Sequence, residues 1–128
     1  MGGLLLDTHT VLWYAEDSPK LSAHVHRAIG NVNTTKYVSF ASAWEVAIKL
    51  HNGKLTLDGG LDAFYNIVDT NGFVLLPIDR SHLYNLQTLP DIHKDPFDRL
   101  LVSTAMRNGM TIITCDRHIV QYNVPCLW

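Results

Sequence analysis

The sequence has few charged residues, two cysteines and no long apolar run. Asp, Glu, Lys and Arg make up 17% of its 128 residues, against about 25% in an average soluble domain. This deficit indicates that part of the surface is covered by another chain. The net charge of -2 and the pI of about 6.3 exclude a generally basic nucleic-acid binder. They leave open a protein that contacts phosphates through a bound metal and a few local basic groups.

Other absences bear on the compartment in which the chain works. No apolar stretch approaches the ~20 residues of a membrane span, and the start of the chain lacks the basic region of a signal peptide. We therefore expect a cytoplasmic protein without membrane contact. No spacing of Cys and His residues resembles a zinc site. The two cysteines, Cys115 and Cys126, are interpreted as buried free thiols.

Short apolar runs alternate with longer helical patterns, which predicts a single α/β domain over residues 1–128. The predicted strands are Gly3–Leu6, Tyr37–Phe40, Val74–Leu76, Thr111–Ile113 and Pro125–Leu127. The predicted helices are Thr8–Ala15, Ser22–Ile29, Ala41–His51, Gly60–Thr70, Arg80–Leu89, Pro96–Asn108 and Arg117–Tyr122. The continuous hydrophobicity of the strands is typical of parallel strands covered on both faces. With right-handed crossovers, these elements form a three-layer α/β/α sandwich.

Four carboxylates border the apolar segments. Asp7 and Asp116 follow predicted strands, Glu45 lies in the second turn of the helix after the second strand, and Asp98 is near the start of the helix before the fourth strand. All four positions lie at the carboxyl edge of a parallel sheet, where ligands bind. Carboxylates beside a core repel one another unless a cation is present, and Mg²⁺ prefers such oxygens. The pattern therefore predicts a shared metal site.

Each acid also has an ordinary structural interpretation. Asp7 and Asp116 are positioned to be helix N-caps. Asp98 is the third residue of its helix, where an acid favours the helix dipole. Glu45 can pair with Lys49 one helical turn later, which is worth only a few tenths of a kcal/mol. Four separate explanations are then needed where a shared metal needs one.

Two further groups of residues are left out of the predicted site. Asp79 follows the third apolar run and is interpreted as the N-cap of the next helix. Seven histidines are scattered along the chain, and His9 and His93 lie nearest the acids. Because no pair has the spacing of metal ligands, all seven are interpreted as surface or packing residues.

Each of the four acids lies in a recognisable motif. The motifs are Leu4–Thr10 around Asp7, Val38–Lys49 around Glu45, Asp95–Leu101 around Asp98, and Thr114–Asp116. In this order, and over nearly the whole chain, they resemble those of the PIN-domain nucleases, and among these the VapC-type toxins of bacterial toxin–antitoxin pairs. The resemblance implies five parallel strands in the order 3-2-1-4-5. Cys115 stands where many relatives carry Arg, which puts one phosphate contact in doubt but removes no acid.

The resemblance implies a metal-dependent endoribonuclease with Mg²⁺ or Mn²⁺ as its cofactor. Asp7 and Asp98 are the expected direct or water-bridged ligands, Asp116 completes the metal site, and Glu45 binds the metal or positions the attacking water. The hydroxyls of two threonines are expected to support the ligands or hold waters; these are Thr8 and Thr114.

The expected partners are RNA, a cognate antitoxin and a second copy of the chain in a homodimer. Four basic residues beside the motifs are candidates for contacts with the RNA backbone, although each has solvation as its simpler interpretation: Lys49, Lys94, Arg99 and Arg117. The apolar run of Val11, Leu12, Trp13 and Tyr14 suits a partner surface. The alternative is that Trp13 and Tyr14 simply help to cover the sheet.

Two other functions remain open at this level. One is a catalytically silent PIN-like binding module that keeps the acids for a structural metal or a partner. The other is a different Mg²⁺-dependent phosphoryl-transfer enzyme. Haloacid-dehalogenase-like phosphatases use Asp-x-Asp after the first strand, whereas this chain has Asp7-Thr8-His9. Receiver domains use an acidic pair there and a Lys after the last strand, and neither is present.

Overall fold

The computed structural model describes residues 2–128, whose strands form one parallel sheet. The strands are β1 (Leu4–Leu6), β2 (Lys36–Ser39), β3 (Val74–Leu76), β4 (Thr111–Ile113) and β5 (Cys126–Leu127). Their order is β3-β2-β1-β4-β5, and all neighbours pair in parallel. The predicted α/β sandwich and its strand order are confirmed.

Within residues 2–128, six helices connect or flank these strands. They are α1 (Thr8–Ala15), α2 (Ala23–Gly30), α3 (Phe40–His51), α4 (Gly60–Thr70), α5 (Arg80–Gln87) and α6 (Pro96–Asn108), followed by a 3₁₀ turn at Ile119–Gln121. Most of these helices begin at a residue whose side chain caps the first turn, and residues of this type are recognisable in the sequence. Asp95 accepts the N–H groups of Phe97 and Asp98, and Asp79 forms a capping box with His82. The predicted cap role of Asp79 is confirmed.

Several predicted boundaries are wrong for local reasons. Phe40 begins α3 instead of ending β2, because the Ser39 side chain accepts the N–H of Ala41 at 2.9 Å and starts the helix there. The predicted helix Arg117–Tyr122 is only a 3₁₀ turn, since Tyr122 is already extended and its hydroxyl donates to the Pro90 carbonyl. The remaining boundaries differ from the predictions by at most two residues.

Two apolar layers pack against the two faces of the sheet. Side chains alternate along β1, so Leu5 belongs to the layer that includes α6 and Leu6 to the layer that includes α1 to α4. Val11 and Leu12 are buried in the second of these layers. The hypothesis that they form a partner surface is therefore wrong. They cover the sheet.

The pairing of β1 with β4 determines where the functional edge lies. Leu6 is in register with Ile113, so the residues that follow these two strands emerge side by side. The Thr10 hydroxyl ties the start of α1 to the Ile113 carbonyl at 3.0 Å. No helix within residues 2–128 is both long enough and apolar enough to cross a lipid bilayer.

Candidate metal centre

All four predicted carboxylates line one cleft of about 160 Å³ at the carboxyl edge of the sheet. A fifth acid, Asp95, lines it as well. The complete lining is Asp7, Thr8, His9, Trp13, Glu45, Lys49, Asp95, Asp98, Cys115 and Asp116. Residues from four separate parts of the chain thus converge as predicted.

Asp7 is both a helix cap and a wall of the cleft. Its Oδ1 accepts the N–H of Thr10 at 2.8 Å, and its Oδ2 accepts the hydroxyl of Thr114 at 2.5 Å. Burial nevertheless raises the pKa of the Asp7 carboxyl above its ordinary value, because these hydrogen bonds only partly offset the loss of solvation. The cap interpretation and the position in the cleft are compatible.

Glu45 is buried on α3 and has a partner for each oxygen. Thr8 donates its hydroxyl to Oε1 at 2.6 Å, and Lys49 contacts Oε2 at 2.7 Å. Because a hydroxyl has one hydrogen, Thr8 must accept the hydroxyl of Ser42, whose oxygen lies 2.9 Å away. The hydrogen bond to Glu45 raises the pKa of Lys49. Thr8 therefore orients Glu45, and Lys49 compensates its charge.

Asp98 is the least compensated acid of the cleft. It lies in the first turn of α6, where its N–H is capped by Asp95. Burial raises the pKa of Asp98 to about 8, and the charges of Asp95, Glu45, Asp7 and Asp116 act in the same direction. No hydrogen bond from residues 2–128 reaches its carboxylate oxygens, although His93 Nε2 lies 3.0 Å from Oδ2. The Asp98 carboxylate is thus the one that most needs a cation.

Asp116 is held by the turn that follows β4. Its Oδ1 accepts the N–H groups of His118 and Ile119 at 2.8 and 3.0 Å. Burial alone would raise its pKa, but these bonds and the His93 ring keep the pKa of Asp116 below its ordinary value. Its own N–H donates to Thr114 Oγ1 at 3.0 Å. Since Thr114 donates in turn to Asp7, a single hydroxyl links two of the acids.

His93 lies beside the acids, although the sequence did not place it in the predicted site. It was expected at the surface or in packing, yet its Nε2 lies 3.3 Å from Asp116 Oδ2 and close to Asp98. His93, Asp98 and Asp116 offer donor atoms that lie within 4.8 Å of one another. The sequence places His93 two residues before the Asp95 motif. Its contact with Asp116 spans 23 residues and is not visible from local spacing.

The four basic residues occupy different environments. Lys49 lines the cleft, and Lys94 and Arg117 are exposed. Arg99 donates to the carbonyls of Leu89, Pro90 and His93. Its guanidinium holds the loop before α6 instead of facing the cleft.

The cysteines differ from the expectation of two buried thiols. Both are free, but Cys115 is exposed at the cleft and Cys126 is half-buried in β5. Cys115 lies beyond the end of β4, between Thr114 and Asp116, and it lines the cleft with the acids. Burial, followed by the charge of Asp7, raises the pKa of the Cys115 thiol, so it is not an activated nucleophile.

The donor set of the cleft fits a hard divalent cation. Five carboxylates face one lysine there, and oxygen donors of this kind are those that Mg²⁺ and Mn²⁺ prefer. The raised pKa values of Asp7 and Asp98 show that these charges are under-compensated by the protein. Asp7, Asp98 and Asp116 could hold the ion, with Glu45 behind them.

The raised pKa of Asp98 predicts that the ion-free protein loses stability as pH rises. Because its pKa is about 8 when folded and 3.8 ordinarily, the folded state binds more protons between these values. The stability that Asp98 contributes is complete below its ordinary pKa of 3.8 and is lost as pH rises through its folded-state pKa of about 8. The raised pKa of Asp7 changes the stability in the same direction. Urea unfolding with a chelator should give a lower midpoint at pH 8 than at pH 5.

Asp98→Asn should remove most of this dependence on pH, whereas Asp69→Asn, on the exposed face of α4, should leave it unchanged. Equal slopes for wild type and Asp98→Asn would contradict the assignment of the effect to Asp98.

Solved structures with the same fold cover nearly the whole chain. VapBC2 of Rickettsia felis, solved bound to a promoter DNA fragment, matches with a TM-score of 0.74 and 14% identity over 100% of this chain and 99% of that chain. VapBC-1 of nontypeable Haemophilus influenzae gives 0.71 and 15% over 99% and 97%. FitAcB of Neisseria gonorrhoeae gives 0.67 and 16% over 98% and 96%. At these identities the likeness establishes the fold.

A comparison with curated protein sequences found no significant match. The family model of the PIN domain matches residues 4–125, a span that contains all four acidic motifs. The family resemblance drawn from the motifs is thereby confirmed: the chain belongs to the PIN domain family.

Proposed function

We propose that this protein is a metal-dependent endoribonuclease, and the toxin of a toxin–antitoxin pair in the cytoplasm. The observation that carries the proposal is the cleft in which five carboxylates face one lysine. Burial and the neighbouring acids raise the pKa of Asp98 to about 8. Ionised Asp98 is therefore costly in this cleft unless a cation binds beside it. Membership of the PIN domain family supports nuclease chemistry at this site.

Asp7, Asp98 and Asp116 supply the oxygen ligands in this proposal, and Mg²⁺ or Mn²⁺ is the ion. When bound, the ion provides Lewis acidity toward the scissile phosphate and toward the attacking water. The side chains are already oriented for this role, since Thr114 holds Asp7 and backbone N–H groups hold Asp116. Little reorganisation is then needed when the ion binds.

Glu45 is proposed to position the attacking water. Its two oxygens are oriented by Thr8 and Lys49, and each oxygen has a second lone pair that can accept from a water. Lys49 also brings positive charge to the cleft, where it can attract a phosphate oxygen. The mechanism needs no covalent nucleophile.

RNA is proposed to enter along the groove next to the acidic cleft. This groove has a volume of about 620 Å³ and is lined by Ile92, His93, Lys94, Asp95 and His118. Lys94 and the exposed Arg117 supply positive charge for the backbone. Arg99 is left out of the proposed contacts, because loop carbonyls occupy its guanidinium.

Asp7→Asn and Asp98→Asn should each abolish metal-dependent RNA cleavage while the fold is retained. Loss of one electrostatic group at a reaction centre lowers the rate by about 100-fold or more, and loss of a ligand also weakens metal binding. Cleavage of a mixed RNA substrate should be measured with Mg²⁺, with Mn²⁺ and with EDTA, together with a circular-dichroism melt of each variant.

The matched control is Asp69→Asn, which changes an exposed acid on α4 and should cleave like wild type. If Asp7→Asn and Asp98→Asn cut RNA at the wild-type rate, the proposal is wrong. A wild-type protein that binds the ion but cuts no RNA would instead support the alternative of a silent binding module.

The toxin assignment is supported by the proteins that share the fold. The matched structures include VapBC assemblies, FitAcB and a toxin–antitoxin complex from Klebsiella pneumoniae.

Expression of this chain alone should arrest bacterial growth, and expression of the Asp98→Asn variant should not. Co-expression of a small antitoxin encoded beside it should restore growth, scored by colony counts. Normal growth despite soluble, metal-binding protein would contradict the toxin assignment.

A homodimer is proposed through an apolar stripe on α3. Phe40, Trp44 and Ile48 are spaced one helical turn apart and are 41%, 57% and 40% exposed. Phe97 packs edge-on against Trp44, with ring centroids 5.1 Å apart, and so extends the stripe onto α6. A contiguous exposed surface of this kind is typical of protein interfaces. It agrees with the low charge content of the chain.

Ile48→Glu should convert the dimer into a monomer, because it places an unpaired charge within the apolar contact. The matched control is Val32→Glu, since Val32 is 90% exposed and lies outside the stripe. Molar mass should be measured by light scattering after size-exclusion chromatography at about micromolar concentration. A monomeric wild type, or a dimeric Ile48→Glu, would refute the proposed dimer surface.

A further inference from the structure

His93 uses both of its ring nitrogens in contacts with neighbouring residues. The N–H of Asp95 donates to Nδ1 at 3.1 Å. On the other side of the ring, Nε2 is hydrogen-bonded to Asp116 Oδ2 at 3.3 Å and contacts Asp98 Oδ2 at 3.0 Å. The ring therefore stands between a backbone amide and two of the acids.

These contacts determine where the ring hydrogen lies. A backbone amide always carries its hydrogen, so Nδ1 must present a lone pair to Asp95. The hydrogen of a neutral ring is then on Nε2, directed to Asp116. A histidine that binds a metal has the opposite arrangement: the ligating nitrogen carries no hydrogen, and the other nitrogen donates to an acceptor.

We propose that His93 is a positioning residue that holds the Asp116 carboxylate from outside the metal coordination shell. The inference rests on the proposed metal site and deepens it. Although His93, Asp98 and Asp116 lie close enough to ligate one ion, the amide of Asp95 holds the ring in the tautomer that cannot do so through Nε2. The cation is thus bound by oxygen alone.

The surrounding contacts hold the ring in this orientation. The N–H of His93 donates to the Tyr122 hydroxyl at 2.9 Å, and its carbonyl accepts from Arg99 at 3.3 Å. The imidazole packs edge-on against the ring of His118, with centroids 5.2 Å apart, and its side chain is only 11% exposed. Rotation of the ring to present Nδ1 to the ion would break the bond to Asp95 and this packing.

The direct test is the tautomer of His93. Full-length protein labelled with ¹⁵N-histidine should be examined by long-range ¹H–¹⁵N correlation at pH 7.5, first with EDTA and then at saturating Mg²⁺. His93→Gln identifies the signals of this ring. We expect a protonated Nε2 and an unprotonated Nδ1 under both conditions. A hydrogen on Nδ1 in either condition would overturn the proposal.

The second test is metal affinity, measured by calorimetry with Mg²⁺ and with Mn²⁺. His93→Ala should weaken binding of both ions by about 10-fold or more, as is usual when a residue that orients a metal ligand is lost. His93→Gln, whose side-chain amide can donate in place of Nε2–H, should recover most of that loss. The control is His24→Ala, on the exposed face of α2, which should bind like wild type.

The possible outcomes separate this inference from the proposed function. Wild-type affinity in His93→Ala would overturn it, as would a selective loss of Mn²⁺ binding, because nitrogen ligation favours Mn²⁺ over Mg²⁺. If the wild type binds neither ion, the proposed function fails, and the positioning role toward a metal ligand fails with it. An Nε2–H tautomer in EDTA would then show that the contact with Asp116 remains. Should His93→Ala fail to fold, the tautomer and His93→Gln still decide the question.

Discussion

Repulsion among carboxylates at one edge of the sheet is the constraint on which the rest of this protein depends. Asp7, Glu45, Asp98 and Asp116 come from different elements and meet with Asp95 in a cleft of about 160 Å³. The protein compensates only part of this charge, so Asp98 keeps its proton to about pH 8. Perturbed carboxylates of this kind cluster at functional sites, and the proposed cation would offset their repulsion.

The uncharged groups around the cleft orient each acid. Thr114 links Asp7 to the backbone of Asp116, and Thr8 joins Ser42 to Glu45. Hydroxyls suit this role because they accept and donate at once and add no charge to a site that already has too much. Hydrogen bonds in a low-dielectric environment are strong enough to hold the acids in place.

The loop before α6 forms a second support for the site. The Arg99 guanidinium donates hydrogen bonds to three carbonyls of this loop. The Tyr122 hydroxyl accepts the N–H of His93 and donates to the carbonyl of Pro90. Arg99 was a candidate for a phosphate contact, but its guanidinium instead holds the loop that carries His93 and Asp95. Residues of this loop, including His93 and Asp95, line the adjacent groove.

The sequence by itself determined the fold class, the four acidic motifs and most element boundaries. These depend on local signals: Asp95 and Pro96 begin α6, Gly109 ends it, and apolar runs mark the strands. Only the tertiary structure decided the position of His93 beside Asp98 and Asp116, the use of Arg99 inside the loop and the burial of Val11 and Leu12. The physical reason is distance along the chain. Asp7 and Thr114 are 107 residues apart, and no local pattern reports a hydrogen bond that exists only after the strands have paired.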